Sequence, residues 1–192
     1  MPEFEKEDAI ALYNVDRCGD GHFSVNAKCN VVVMPTGSKG VNVDLMEVVE
    51  EARSRNLEFP LTVRVHDLLR ERVETINKAF ASAMEEAEYK NVYRGVFPIK
   101  VNQLREVVEE IIDAGKPWHF GVEAGSKPEL MAAIAVHTDP ESLLICNGYK
   151  DAGFIRTALL GRKLGKTVIL VVEKLEELAA ILHGPRETPP AW

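Results

Sequence analysis

At 192 residues, 46% hydrophobic and 28% charged, the chain has the length and balance of one large folded domain, or of one domain with part of a second. A formal net charge of −7 argues against a nucleic-acid or anionic-membrane partner, and no apolar run approaches the roughly 18 residues that a membrane-spanning helix needs. The opening MPEFEKEDAI is acidic and polar, unlike a signal or transit peptide, and the three cysteines Cys18, Cys29 and Cys146 have no metal-type spacing, so reduced thiols in a cytoplasmic protein are expected.

Residues 1–59 read as a short β-rich segment that contributes to a β-domain. DRCGDGHFSVN carries the turn signal Gly19-Asp20-Gly21 and predicts a hairpin, with strands over 12–35. Asp16 and Asp20 beside Gly21 invite a calcium reading, but an EF-hand's closing acid and its flanking helices are missing. NVVVMP is an apolar strand and PTGSKG a loop. VDLMEVVEEARSRN then has Leu45, Val48, Val49 and Ala52 at helical spacing, with Asp44 as the N-cap.

From Phe59 strand and helix alternate. Strands are expected over 61–65, 93–100, 118–124, 142–147 and 167–173, each of the first four followed by a helix and the last by the start of one. The first helix, HDLLRERVETINKAFASAMEEAEY, is long, and the second, QLREVVEEIIDAG, is closed by Gly115. The third begins at Ser126, an N-cap with Pro128 in the first turn and Glu129 completing an SKPE capping box. Five such units span 60–180, and a tail over 181–192 follows, in which Pro185, Pro189 and Pro190 end any helix. Serial βα units imply an α/β fold with a parallel sheet. Two architectures fit the alternation equally: an open doubly wound sheet, and a partial (β/α)₈ barrel. The absence of a Gly-x-Gly-x-x-Gly after the first strand weakens a dinucleotide-binding fold.

Both architectures bind ligands at the carboxyl ends of their strands, where Lys100, Glu123, Asn147 and Glu173 fall and where His66 follows the first strand. In YRGVFPIKVNQ, Lys100 shares a strand face with Val96 and Pro98. It is either a strand-end lysine reaching solvent or a Schiff-base nucleophile whose amine is freed by partial desolvation; spacing does not separate the two. Asn147, Gly148 and Tyr149 make either a tight turn or a pocket wall. Ser126 and Glu129 are accounted for by capping, and Cys146 by a buried strand. His66 is explained equally by a helix start or by a cofactor contact, and His22, His119, His137 and His183 have no metal-site spacing.

YRGVFPIKVNQ, HFGVEAGSKPELMAAIA, LLICNGYKD and GRKLGKTVILVVEKLEEL occur in that order, after ALYNVDRCGDGHFSVN. Together they closely resemble the biosynthetic arginine decarboxylases, pyridoxal-phosphate enzymes with an alanine-racemase-like barrel. The likeness runs from about Asp8 to about Leu178. It implies decarboxylation of L-arginine to agmatine for polyamine and spermidine synthesis. It implies pyridoxal 5'-phosphate on Lys100, with Glu123 near the cofactor and the lysine, and magnesium as a further ion with no site visible in the sequence; Asn147, at the end of the fourth strand, is taken as a further cofactor-binding candidate. It also implies a homo-oligomer with active sites shared between chains.

The resemblance stops early. The family's remaining barrel strands, its glycine-rich phosphate segment, the histidine that stacks on the ring, the acid at the pyridine nitrogen and its C-terminal β-domain have no counterpart in these residues, and the tail AAILHGPRETPPAW does not look like the family's continuation. A truncated or frame-shifted product is therefore expected, inactive by itself. The alternative is a non-catalytic module that binds the cofactor or pairs with another subunit.

Overall fold

A computed structural model of the chain describes residues 5–37 and 40–183, apart from the side chains of Asp16 and His183. The expected tail with Pro185, Pro189 and Pro190 lies outside the described residues. The chain divides into two compact units, Met1–Glu71 and Arg72–Trp192.

The first unit opens with helices α1 (Lys6–Leu12) and α2 (Val15–Cys18), in place of the strands expected from residue 12. Asp8 closes the first turn of α1 by accepting from the Glu5 amide at 2.9 Å, a local bond that favours helix. Gly19-Asp20-Gly21 is the expected turn, with Asp20 and Gly21 left-handed, but it leads α2 into β1 (Phe23–Val25) rather than reversing a hairpin. The reversal comes at Asn26–Asn30, before β2 (Val31–Val33); β3 (Val43–Asp44) completes an antiparallel sheet in the order β1-β2-β3. Asp44 ties this unit together. It caps α3 (Leu45–Ser54) by accepting from the Met46 amide at 2.8 Å, as expected, and it also accepts from the Asn26 and Asn30 side-chain amides at 2.8 and 2.9 Å. The Asn30 bond foremost holds the Asp44 carboxyl below the usual carboxylate range.

The strand expected over 61–65 does not form: among the described residues it joins no ladder, and Val63 is exposed. A strand is made by its neighbour's hydrogen bonds, and β-branched composition alone does not supply them. The long helix after it does form, as α4 (His66–Glu86).

The second unit holds a four-stranded parallel sheet in the order β4-β5-β6-β7: β4 (Val96–Pro98), β5 (Gly121–Ala124), β6 (Leu143–Cys146) and β7 (Thr167–Leu170). Helices α5 (Arg105–Gly115), α6 (Lys127–Val136), α7 (Ala152–Lys163) and α8 (Leu175–His183) follow the strands in turn. Val122, Ala124, Leu144 and Cys146 form one core with Val108 and Ile112 of α5, Leu130 and Ala133 of α6, and Phe154 and Ala158 of α7. The alternate residues Pro98, Glu123, Ile145 and Ile169 stand opposite one another in register, so they make a single row on the other face. Helices α5, α6 and α7 thus pack on one face only. That is the partial-barrel arrangement, not the doubly wound one.

Three local expectations need correction. The strand over 93–100 stops at Pro98, and Ile99–Val101 form a 3₁₀ turn that buries Ile99 in the core and throws Lys100 out at its tip. Gly115 does not end α5 in a left-handed cap; it is right-handed at φ −81°, the chain continues into a 3₁₀ turn at Lys116–Trp118, and His119 takes the left-handed position. Glycine is required at 115 for space, since a Cβ there would lie 2.3 Å from the Phe120 Cβ. At α6, Ser126 caps as expected by accepting from the Glu129 amide, but Glu129 accepts from Gly125 at 2.8 Å, one residue before the cap.

Candidate functional site

The turn after β4 places Lys100 beside the strand that carries Glu123. Lys100 Nζ lies 3.6 Å from Glu123 Oε1, with the lysine side chain 62% and the glutamate side chain 17% exposed. Lys100 therefore reaches the face that carries the Pro98–Glu123–Ile145–Ile169 row, although it is not itself a strand residue and the period-two argument does not apply to it. Glu123 Oε1 is buried with no hydrogen-bond partner. The lysine is close enough to form an ion pair and too far for a hydrogen bond. A buried acceptor left unmet is costly, and such groups mark places where a ligand completes the set.

The other lysines on this rim are engaged. Lys127 Nζ binds Asp151 Oδ2 at 2.7 Å, Lys174 Nζ stacks 3.9 Å over the Tyr149 ring, and the Lys150 side chain is fully buried against Glu177. Lys100 combines an exposed amine with an unmet carboxylate beside it. That pair suits a carbonyl-bearing cofactor such as pyridoxal phosphate: an amine to capture the aldehyde, and an acceptor for a donor brought in with it.

Asn147 stands at the end of β6, its amide donating to the Ala124 carbonyl at 2.9 Å and its Oδ1 accepting from the Gly148 amide at 3.0 Å. It thus belongs to the rim, one strand beyond Glu123, and among the described residues no hydrogen bond joins it to the Lys100–Glu123 pair. Glu173 closes the next loop by accepting from the Gly148 amide at 2.6 Å. His66 is the first residue of α4. Cys146 is wholly buried, and burial pushes its thiol up to about 11, which leaves it unreactive.

A serine–histidine pair lies elsewhere. The His137 Nε2–Ser142 Oγ distance is 2.8 Å, and the serine donates onward to the Asp139 carbonyl, so the imidazole is the donor between them. Both residues are buried, and they precede β6, at the amino end of the strands, so the pair fixes a loop and meets no substrate. Burial foremost, then the Lys166 ammonium, holds the His137 imidazole below its ordinary value. A cavity of about 800 Å³ runs between α5 and α6, lined by Ile99, Val108, Pro128 and Ala132 among others, but neither Lys100 nor Glu123 lines it. Its Arg105 is already tied to Glu109 at 2.7 Å, so the groove offers packing space without reacting groups. Among the described residues no three His, Cys, Asp or Glu are grouped to hold a metal ion, and no helix is long and apolar enough to cross a membrane.

Sequence reasoning missed the Lys150–Glu177 pair. Its members lie 27 residues apart, and no local pattern links a lysine beside a helix cap to a glutamate in the first turn of α8.

Residues 70–188 match the family described as "Pyridoxal-dependent decarboxylase, pyridoxal binding domain". The biosynthetic arginine decarboxylase of Prochlorococcus marinus (strain MIT 9303) is 47% identical over 180 residues, which is 94% of this chain and 28% of that protein. The protein of the same name from Nostoc sp. (strain PCC 7120) is 47% identical over 181 residues, covering 94% of this chain and 27% of the relative. The crystal structure of the biosynthetic arginine decarboxylase from Campylobacter jejuni superposes with a TM-score of 0.81 at 30% identity, over 89% of this chain and 28% of that one. The chain thus spans a little over a quarter of the length of the curated relatives it matches.

Proposed function

The chain belongs to the pyridoxal-dependent decarboxylase family, in its pyridoxal-binding domain, and on that premise we propose that it supplies the lysine-bearing part of an enzyme converting L-arginine to agmatine and carbon dioxide. The observation that carries this reading is the Lys100–Glu123 pair: an exposed amine 3.6 Å from a buried carboxylate oxygen that has no hydrogen-bond partner.

When bound, pyridoxal phosphate supplies an aldehyde for covalent capture and a conjugated ring that takes up the electrons left by departing carbon dioxide. Lys100 Nζ would be the amine that holds the cofactor, and the turn that carries it, anchored by buried Ile99, would set the position of that amine. The same amine would also be placed to hold a proton at Nζ beside Glu123. Glu123 Oε1 offers an acceptor beside it and keeps negative charge within 3.6 Å of the amine. Asn147 lines the next part of the rim. Arginine as the substrate, a role in polyamine synthesis, a cytoplasmic location and the homo-oligomer expected of the full-length family all rest on the likeness to the arginine decarboxylases.

The test is a spectroscopic titration of the purified chain with pyridoxal phosphate. A saturable imine absorbance is expected, absent in Lys100→Ala and discharged by L-arginine more readily than by L-lysine. An equal absorbance in Lys100→Ala would place the cofactor on another amine and overturn the assignment.

A further inference from the structure

The loops after β6 and β7 are joined by a closed set of bonds centred on a buried ion pair, and the β6 loop in turn packs on the loop after β5. Lys150 and Glu177 meet at 3.2 Å with side chains 0% and 4% exposed. Glu177 accepts from the Lys150 amide at 2.7 Å and from the Glu173 amide at 3.0 Å. Lys150 Nζ donates back to the Gly148 carbonyl, and Gly148 donates to Glu173 Oε1 at 2.6 Å. Gly148 is left-handed at φ +72°, and a Cβ on it would meet the Gly125 carbonyl oxygen at 2.6 Å, so the β6 loop lies flush on the loop that follows Glu123 and Ala124. Asn147 is held between them by its bond to Ala124.

Packing alone does not call for charge at this place. Two apolar side chains of similar volume would fill the space at lower desolvation cost. They would also lose every directed bond to the loops after β6 and β7. We propose that Lys150 and Glu177 are positioning residues, whose ion pair holds Asn147 and the β6 loop in register with the Lys100–Glu123 site. The inference rests on the reading of Lys100 as the cofactor lysine. The pair touches neither Lys100 nor Glu123, and it acts through the loop between.

The experiment compares the wild-type chain with Lys150→Met, Lys150→Arg and Glu177→Gln, reading amide hydrogen exchange and the pyridoxal phosphate concentration that half-saturates Lys100. In Lys150→Met the amides of Gly148, Glu173 and residue 150 should exchange about 100-fold faster, as expected when one partner of a buried pair is removed. Amides within α5 and α6 should keep their protection. The half-saturating cofactor concentration should rise about tenfold, and Lys150→Arg should recover part of both losses. If Lys150→Met fails to fold, Glu177→Gln, which keeps an acceptor and loses the charge, decides by the same two readouts. Unchanged exchange overturns the proposal. So does faster exchange with unchanged half-saturation, which would make the pair a stabiliser only. A wild-type chain that takes up no cofactor at Lys100 overturns the functional reading and this inference with it.

Discussion

Lys100 and Glu123 are 3.6 Å apart, one exposed and one nearly buried, and each has a separate consequence when changed. Lys100→Ala removes the amine and should abolish covalent cofactor capture. Lys100→Arg should fail as completely, because a guanidinium stays protonated and cannot attack an aldehyde. Glu123→Gln keeps the shape and loses the charge; cofactor uptake should weaken by roughly tenfold, the scale of one hydrogen bond to a charged group. A titration of all three variants against wild type checks this, and a Lys100→Arg chain that captures the cofactor normally would contradict it. The placement of these two residues at strand ends was legible in the sequence, because that is where parallel sheets bind ligands, while the reading of Lys100 as the cofactor lysine came from the family resemblance and not from spacing. Their geometry was not legible. YRGVFPIKVNQ reads as one continuous strand, and only the core's demand for Ile99 shows why the chain turns after Pro98.

At the level of loops and strands, the tightest constraint is Gly148. Gly148→Ala would need an alanine at φ +72° with its Cβ 2.6 Å from the Gly125 carbonyl oxygen. The loss should be at least about 2 kcal/mol, from left-handed backbone strain with a backbone clash added, and chemical denaturation measures it. The loop before β6 should set a pH dependence. Burial depresses the His137 imidazole, so the unfolded chain binds this proton more readily than the folded one. The stability gained by keeping it neutral is full above its ordinary value of about 6.5 and is lost as pH falls through the folded value. Thermal melts should therefore drop between pH 7.5 and 5, and His137→Gln should flatten the drop. Equal slopes in the two chains would contradict this. The caps at Asp44 and Ser126 were readable because their partners lie two or three residues away. The strand over 61–65 misled because its composition suits a sheet while no neighbour in the described residues pairs with it.

Across the whole chain, the four parallel strands are half of what a closed (β/α)₈ barrel takes, and the row that would face a barrel's interior includes Ile169, which is 42% exposed. The βα rhythm made this architecture legible as one of two choices. Periodicity could not decide between them, because which face the helices cover depends on contacts far apart in sequence. These 192 residues taken alone should form no measurable agmatine, since they span about 28% of the arginine decarboxylases they match. A radiometric assay of carbon dioxide release from L-arginine checks this, and robust release by the isolated chain would contradict it. The central claim is that this segment carries the cofactor-binding lysine. Its most direct test is borohydride reduction of the chain with pyridoxal phosphate, followed by mass spectrometry of the peptides. The account predicts a reduced pyridoxyl adduct on the peptide containing Lys100, lost in Lys100→Ala; an adduct concentrated on Lys127, Lys150 or Lys174, with Lys100 unmodified, would contradict it.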